Sequence, residues 1–396
     1  IFKNLINFNN IKGKKILIYL LKKNYIENMK QFSKSHNLSL FFYSRQFLNK
    51  KYFDEKSFNK KFKIKIFREK IKNSFYKKLI IFLSPYIINE VLAAKENISS
   101  ILKKKSVDLY CTSHPTLISA TVREYLNQRN IKTLTCLHGG TVGHFEKGFF
   151  WPDLSHNNIK NKKISFIHSY SKEHLNEILK DQKKNNSSSI KNKYVSFKHE
   201  TFFKLKKIKK FKNIKFNIGY ITQSNSNVLI GLNKNYNDPF KLYKFRTDLV
   251  EKIIKKDSKF KLLISNTEDD VNYLFNNNLF KMVNDLKKVQ IYRLNAIEVM
   301  KRSNIIILEQ PSSTLIESLF LNVSNIIVLK NPLWKIKRSQ KIILNKRVNF
   351  ADNFDDIMKL INNVYRKNIK NNYFLKKYYY SKEKYEFRDF LNQLLN

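Results

Sequence analysis

The run Leu137-His138-Gly139-Gly140-Thr141-Val142-Gly143-His144-Phe145-Glu146-Lys147-Gly148 holds four of the seven glycines of a 396-residue chain. Glycine concentrated in one loop signals a need for backbone freedom, either positive φ or close approach to a ligand. An apolar run over 131–137 precedes it and reads as a buried strand. The loop is therefore expected at a strand's carboxyl end, where open α/β sheets bind ligands. A neutral His138 imidazole facing a cleft there can take a proton from a bound hydroxyl as general base. The Gly139 and Gly140 N–H groups can face a phosphate or a sugar. The same histidine would serve equally by bonding a backbone carbonyl. One unit earlier, Cys111-Thr112-Ser113-His114-Pro115-Thr116 reads as a second strand end, with Pro115 in the first turn of the next helix. Adjacent parallel strands would put His114 and His138 on one sheet edge, with His114 either a site residue or a turn residue.

A second motif is Leu308-Glu309-Gln310-Pro311-Ser312-Ser313-Thr314-Leu315-Ile316-Glu317-Ser318-Leu319, after an apolar strand over 304–308. Pro311 has no N–H to donate and ends the strand. Ser312 or Ser313 suits the N-cap of the next helix, and Thr314 with Glu317 has capping-box spacing. A helix N-terminus with small hydroxyls binds phosphate, and Glu317 about one turn in can accept from ribose hydroxyls. A capped helix with no ligand has the same pattern. Gln223 heads a Ser/Asn run after the strand over 215–222, which reads as a strand-end loop or an ordinary polar connection.

Six of the eight histidines lie between positions 114 and 174. The spacings among His138, His144 and His156, even with Asp153, match no common zinc pattern, so no metal is expected. Trp151 reads as a loop wall or a stacking platform. Cys111 and Cys136 are too few for a disulfide framework or a four-thiolate zinc site, and read as buried thiols. No cofactor is implied.

Elements that would position these residues alternate regularly. Strands are expected over 15–20, 38–43, 107–112, 132–137 and 165–168, with helices over 86–104, 118–130 and 172–184. A polar stretch over 183–193 reads as a solvated loop. A second series has strands over 215–222, 260–265, 289–293, 304–308 and 325–329, and helices over 240–256, 271–287, 296–302 and 313–321. Terminal helices are expected over 354–364 and 381–395. This alternation predicts α/β architecture with two Rossmann-like doubly wound domains and an interdomain cleft. The expected division is one α/β domain over 1–205 and a second over 214–396 carrying the terminal helices. Because the chain starts at Ile1, an N-terminal truncation is also expected.

The pair of motifs in this order resembles the GT-B glycosyltransferases. More narrowly, His138-Gly139-Gly140, Ser312-Ser313-Thr314-Leu315-Ile316-Glu317 and Asn331-Pro332 resemble bacterial transferases of surface-carbohydrate (lipopolysaccharide or capsule) biosynthesis. The resemblance spans roughly 107–345. It implies a metal-independent transfer of sugar from a nucleotide-sugar to a glycan or lipid-linked acceptor. Gln310, Ser312, Ser313, Thr314, Glu317 and Gln223 would hold the donor. His114, Gly139 and Gly140 would line the acceptor or phosphate loop, and His138 would be catalytic. Asn322-Val323-Ser324 stands where many GT-B enzymes carry Gly-Lys-Pro.

A formal charge of +46 favours anionic partners, although a composition rich in Lys, Asn and Ile contributes to it. No run of about 18 uncharged apolar residues predicts a membrane span. The expected location is cytoplasmic, with peripheral contact at the anionic inner face of the cell membrane. A basic nucleic-acid-binding protein is the competing class, though no helix-turn-helix, zinc or RNP signature supports it. A third class is a non-catalytic glycan-binding scaffold.

Overall fold

The computed structural model describes residues 13–19, 23–36, 39–42, 74–113, 116–136, 144–146, 165–184, 193–196, 205–206, 217–222, 239–256, 261–266, 289–293, 295–330, 335–362, 372–380 and 387–395. Among them are two six-stranded sheets, each parallel throughout. The first contains β1 (Lys15–Tyr19), β2 (Ser39–Phe42), β3 (Leu109–Thr112), β4 (Lys132–Thr135), β5 (Ser165–Ser169) and β6 (Lys193–Ser196). Their order is β2-β1-β3-β4-β5-β6. The second contains β7 (Asn217–Ile221), β8 (Lys261–Asn266), β9 (Val289–Arg293), β10 (Ile305–Leu308), β11 (Asn325–Leu329) and β12 (Asn349–Ala351). Its order, β12-β11-β10-β7-β8-β9, is the doubly wound arrangement with the reversal between β7 and β10.

Parallel neighbours need long crossovers, and helices supply them. In the first half these are α1 (Lys23–His36), α2 (Ser74–Lys104), α3 (Leu117–Asn127) and α4 (Lys172–Lys184). In the second they are α5 (Pro239–Lys256), α6 (Ala296–Lys301), α7 (Ser313–Phe320) and α8 (Arg338–Leu344), while α9 (Phe354–Asn362) follows the last strand. Two further helices, α10 (Tyr373–Tyr378) and α11 (Phe387–Leu395), end the chain's described part.

Helices on both faces explain the continuous apolar strands. In β10, Ile306 and Leu308 pack with Val299 of α6 and Leu315 of α7, while Ile305 and Ile307 pack with Leu249 and Ile253 of α5. Gly219 in β7 makes the close approach of α6 possible. A Cβ there would meet Val299 Cγ1 and Ser303 Oγ, each at 2.8 Å, and the Ile306 side chain.

One core runs between the halves. Ile167, Tyr170 and Ile178 of the first share a cluster with Leu315, Ile316 and Phe320 of α7. The last helix returns to the first sheet, where Phe387, Phe390, Leu391 and Leu394 pack with Ile16, Ile18, Leu109 and Leu134. Each such side chain stabilises by about 1.5–3 kcal/mol on burial. Lys132 Nζ donates to the Leu394 carbonyl, supplying a cation at the carboxyl end of α11.

Strands and helices of the expected alternating series recur with small boundary differences; α2 starts at Ser74, earlier than its apolar periodicity suggests. The expected helix over 271–287 lies outside the described residues. Strands β6 and β12 were not expected. Both are sheet edges, and polar β6 follows the Lys/Asn/Ser stretch, so neither carries a buried-strand signature. No helix among the described residues is long and apolar enough to cross a membrane.

Candidate functional site

In doubly wound sheets ligands bind outside the strands' carboxyl ends, at the point where strand order reverses. In the second sheet that point lies between β7 and β10, and it is where the serine-rich motif stands. The Glu309 amide donates to the Ile221 carbonyl at 3.3 Å, carrying the β7–β10 pairing one residue past β10. Pro311 follows, and the Ser312 amide turns back onto the Gln310 carbonyl at 2.9 Å. Ser312 is the N-cap of α7: its Oγ lies 2.8 Å from Thr314 Oγ1 and accepts from the Thr314 amide at 3.4 Å. Of the two expected cap residues Ser312 holds the position, so Ser313 and Thr314 are the first two helical residues. Glu317 is then the fifth, beyond capping-box reach. It is half-buried, and its charge bears on the buried Tyr170 of the first half. Gln310 Oε1 is buried with no hydrogen-bond partner among the described residues.

The far end of α7 is set by Asn322, whose φ of 54° is left-handed. The Val323 amide donates to the Ser318 carbonyl and the Asn322 amide to the Leu319 carbonyl, each at 3.1 Å. This closure is one that asparagine tolerates. Arg347, buried, donates to the Val323 and Ser324 carbonyls, and burial lowers its guanidinium to about 10. The Asn322-Val323-Ser324 segment therefore turns the chain from α7 into β11.

Beneath the motif lies an ion pair. Arg246 of α5 grips Glu309 with two parallel bonds, Nε to Oε1 and Nη2 to Oε2, both at 2.7 Å. The side chains are 1% and 6% exposed. The Tyr220 hydroxyl donates to the same Oε1. Burial and the neighbouring carboxylate both hold the Tyr220 phenol well above its ordinary range, so it stays a donor.

The exit of the glycine run is tied to the second half. Phe145 forms an antiparallel bridge with Ile336. The Glu146 amide donates to Lys335 at 2.8 Å, the Lys337 amide donates to His144 at 2.9 Å, and Lys335 pairs with Glu146 at 2.8 Å. Lys335 directly follows Asn331-Pro332-Leu333-Trp334 in sequence, and those four residues lie outside the described ones. His144 is 1% exposed. Its Nδ1 lies 2.6 Å from Gln340 Oε1 and its Nε2 lies 2.9 Å from the Tyr379 hydroxyl. Gln340 spends its amide N–H on Glu177 Oε2 at 3.1 Å, so its oxygen must face His144. This assigns a neutral ring with the proton on Nδ1, accepting from Tyr379 at Nε2. Lys337 completes the network, 3.1 Å from Glu177 and 2.8 Å from Asp181.

In the first sheet, the Cys136 amide donates to the Thr112 carbonyl at 2.7 Å, so the ends of β3 and β4 lie side by side. The runs bearing His114 and His138 leave from those ends. His114, His138, Gly139, Gly140 and Gln223 themselves lie outside the described residues, as do Trp151, Asp153 and His156. The described His144, His168 and His174 are buried. The His144 and Tyr170 rings lie tilted against His174, with centroids 5.3 and 5.0 Å away. Among the described residues no group of three or more His, Cys, Asp or Glu could hold a metal ion.

Sequence reasoning missed the roles of Glu309, Arg246, His144 and Gln340. One signal was available: Arg246 is the lone arginine in a lysine-rich helix, and a planar fork is what a buried carboxylate demands.

No family model matches the chain, and no curated protein matches it. Solved structures do. The UDP-GlcNAc 2-epimerase of Methanocaldococcus jannaschii, in complex with UDP-GlcNAc and UDP, is similar over 90% of this chain and 94% of its own, with 14% identity and a TM-score of 0.52. The UDP-GlcNAc 2-epimerase of Neisseria meningitidis, bound to UDP-GlcNAc, is similar over 96% and 99%, with 12% identity and a TM-score of 0.52. At this identity the likeness establishes the fold. The chain has the two-sheet, GT-B-like α/β fold that the resemblance in its sequence implies.

Proposed function

We propose that this protein is a glycosyltransferase that moves a sugar from a nucleotide-sugar to a cell-surface glycan or lipid-linked acceptor. The observation that carries the reading is the Ser312-capped start of α7 at the strand-order reversal of the second sheet. A helix N-terminus there suits a diphosphate. Gln310 Oε1, buried and without a partner among the described residues, suits a ligand donor such as a base imide or a sugar hydroxyl. Ser312, Ser313 and Thr314 would meet the phosphates, Glu317 the ribose, and Gln223 the opposite wall.

The acceptor would enter from the first half, near His114, Gly139 and Gly140. In the reaction the acceptor oxygen bonds to the anomeric carbon as the bond from that carbon to the diphosphate breaks. His138 would take the acceptor's proton. The α7 N-terminus would stabilise the charge on the departing diphosphate, with no metal required. Glu309 is no candidate base, because Arg246 and Tyr220 occupy both of its oxygens. The donor-side unit of this reading is 214–396 and the acceptor-side unit 1–205, working at the cytoplasmic face of a membrane whose anionic surface attracts the basic chain.

The likeness to two UDP-GlcNAc 2-epimerases favours a second reading, an epimerase acting on a nucleotide-sugar. Incubation with UDP-GlcNAc and no acceptor separates the two. An epimerase converts the nucleotide-sugar to its C2 isomer, whereas a transferase leaves the configuration unchanged. Binding of RNA or DNA at ~0.15 M salt, with no nucleoside diphosphate bound, would favour the nucleic-acid class instead.

A further inference from the structure

The proposed diphosphate subsite has a carboxylate at its base. Glu309 stands three residues before the Ser312 cap, and three residues of extended chain span at most about 11 Å. A bare carboxylate roughly 10–15 Å from a phosphate would weaken its binding about six- to sixteen-fold per unit of ligand charge, for an effective dielectric near 20. The carboxylate is not bare. Arg246 meets both oxygens at 2.7 Å in the buried fork described above, and Tyr220 adds a third donor. Arg246 comes from α5, Tyr220 from β7 and Glu309 from the residue just after β10; β7 and β10 are the neighbours where the strand order reverses, and α5 packs against both.

We propose that Arg246 is a specificity-determining residue. By neutralising Glu309 it lets the crevice between β7 and β10 accept a nucleoside diphosphate in preference to the neutral nucleoside. This rests on the donor-site reading above. The pair also fixes the exit of β10, since a bidentate fork restrains orientation as well as distance. A lysine could supply the charge but not that geometry.

The test is calorimetric binding to the full chain of UDP, CDP, GDP and ADP, each beside its own nucleoside. Wild type should bind one diphosphate more tightly than its nucleoside. In Arg246→Met the diphosphate should weaken at least tenfold while the nucleoside changes by less than about threefold. Glu309→Gln should raise the diphosphate-to-nucleoside preference severalfold. The double variant Arg246→Met/Glu309→Gln should restore the preference to within about threefold of wild type. Parallel weakening of diphosphate and nucleoside in Arg246→Met overturns the proposal, as does a double variant that stays impaired. If Arg246→Met does not fold, the other two variants decide, and an unchanged preference in Glu309→Gln overturns it. A wild type that binds no diphosphate overturns the donor-site reading itself, and the proposal with it.

Discussion

His144 and Gln340 stand 196 positions apart and meet at 2.6 Å, Nδ1–H donating to Oε1 inside the core. The orientation of that amide is fixed from behind by Glu177, itself held by Lys337. This chain of bonds locks the exit of the glycine run onto the second half. It requires a neutral imidazole: burial disfavours the charged ring, and with the proton on Nδ1 the Nε2 accepts from the Tyr379 hydroxyl.

That requirement has a pH signature. Burial, then the neighbouring His174, holds His144 well below the ordinary imidazole range, with the Lys337 charge a smaller contribution in the same direction. Around the ring stand Gln340, Tyr378, Tyr379, Phe374, His174 and Lys337. A group whose folded pKa is depressed in this way stays neutral while the unfolded chain takes up a proton. The folded state therefore loses stability as pH falls below the unfolded value of roughly 6.5, by up to about 1.4 kcal/mol per pH unit. Urea midpoints measured from pH 7.5 down to 5.5 should show this slope in wild type and a shallower one in His144→Asn. Equal slopes in the two proteins would remove His144 as the source.

Gly219 makes a purely structural prediction. With Val299, Ser303 and Ile306 around the missing Cβ, Gly219→Ala forces α6 away from β7. The expected loss is about 1–3 kcal/mol in urea unfolding. A change within a few tenths would show that α6 shifts without cost.

The cap of α7 serves the fold as well as the proposed ligand. Ser312→Ala removes the Oγ that accepts from the Thr314 amide, and should cost about 1 kcal/mol of stability. Ser313→Ala, outside the cap, should leave the urea midpoint nearly unchanged. If the two variants unfold alike, the cap assignment is mistaken.

Much of this was legible in the sequence, and the reason lies in burial. Runs such as Ile305–Leu308 and Asn325–Leu329 are covered on both faces and stand out as continuous apolar segments. The start of α7 was legible because proline and serine have local, position-specific roles there. Edge strands β6 and β12 were not, since an edge needs no apolar run. Neither was the His144 network, whose members are brought together by tertiary packing across 196 positions. Glu309 sat within the quoted motif, yet its partner lies 63 positions earlier on the far face of the sheet. No periodicity links such residues.

The proposed function rests on binding of a nucleoside diphosphate at the α7 start. It is tested most directly by calorimetry of UDP, CDP, GDP and ADP against wild type and the Ser313→Ala/Glu317→Ala variant. One of the four should bind wild type, and at least tenfold more weakly the variant, whose thermal midpoint stays near that of wild type. Binding of none of them to wild type, or equal affinity in both proteins, would contradict it.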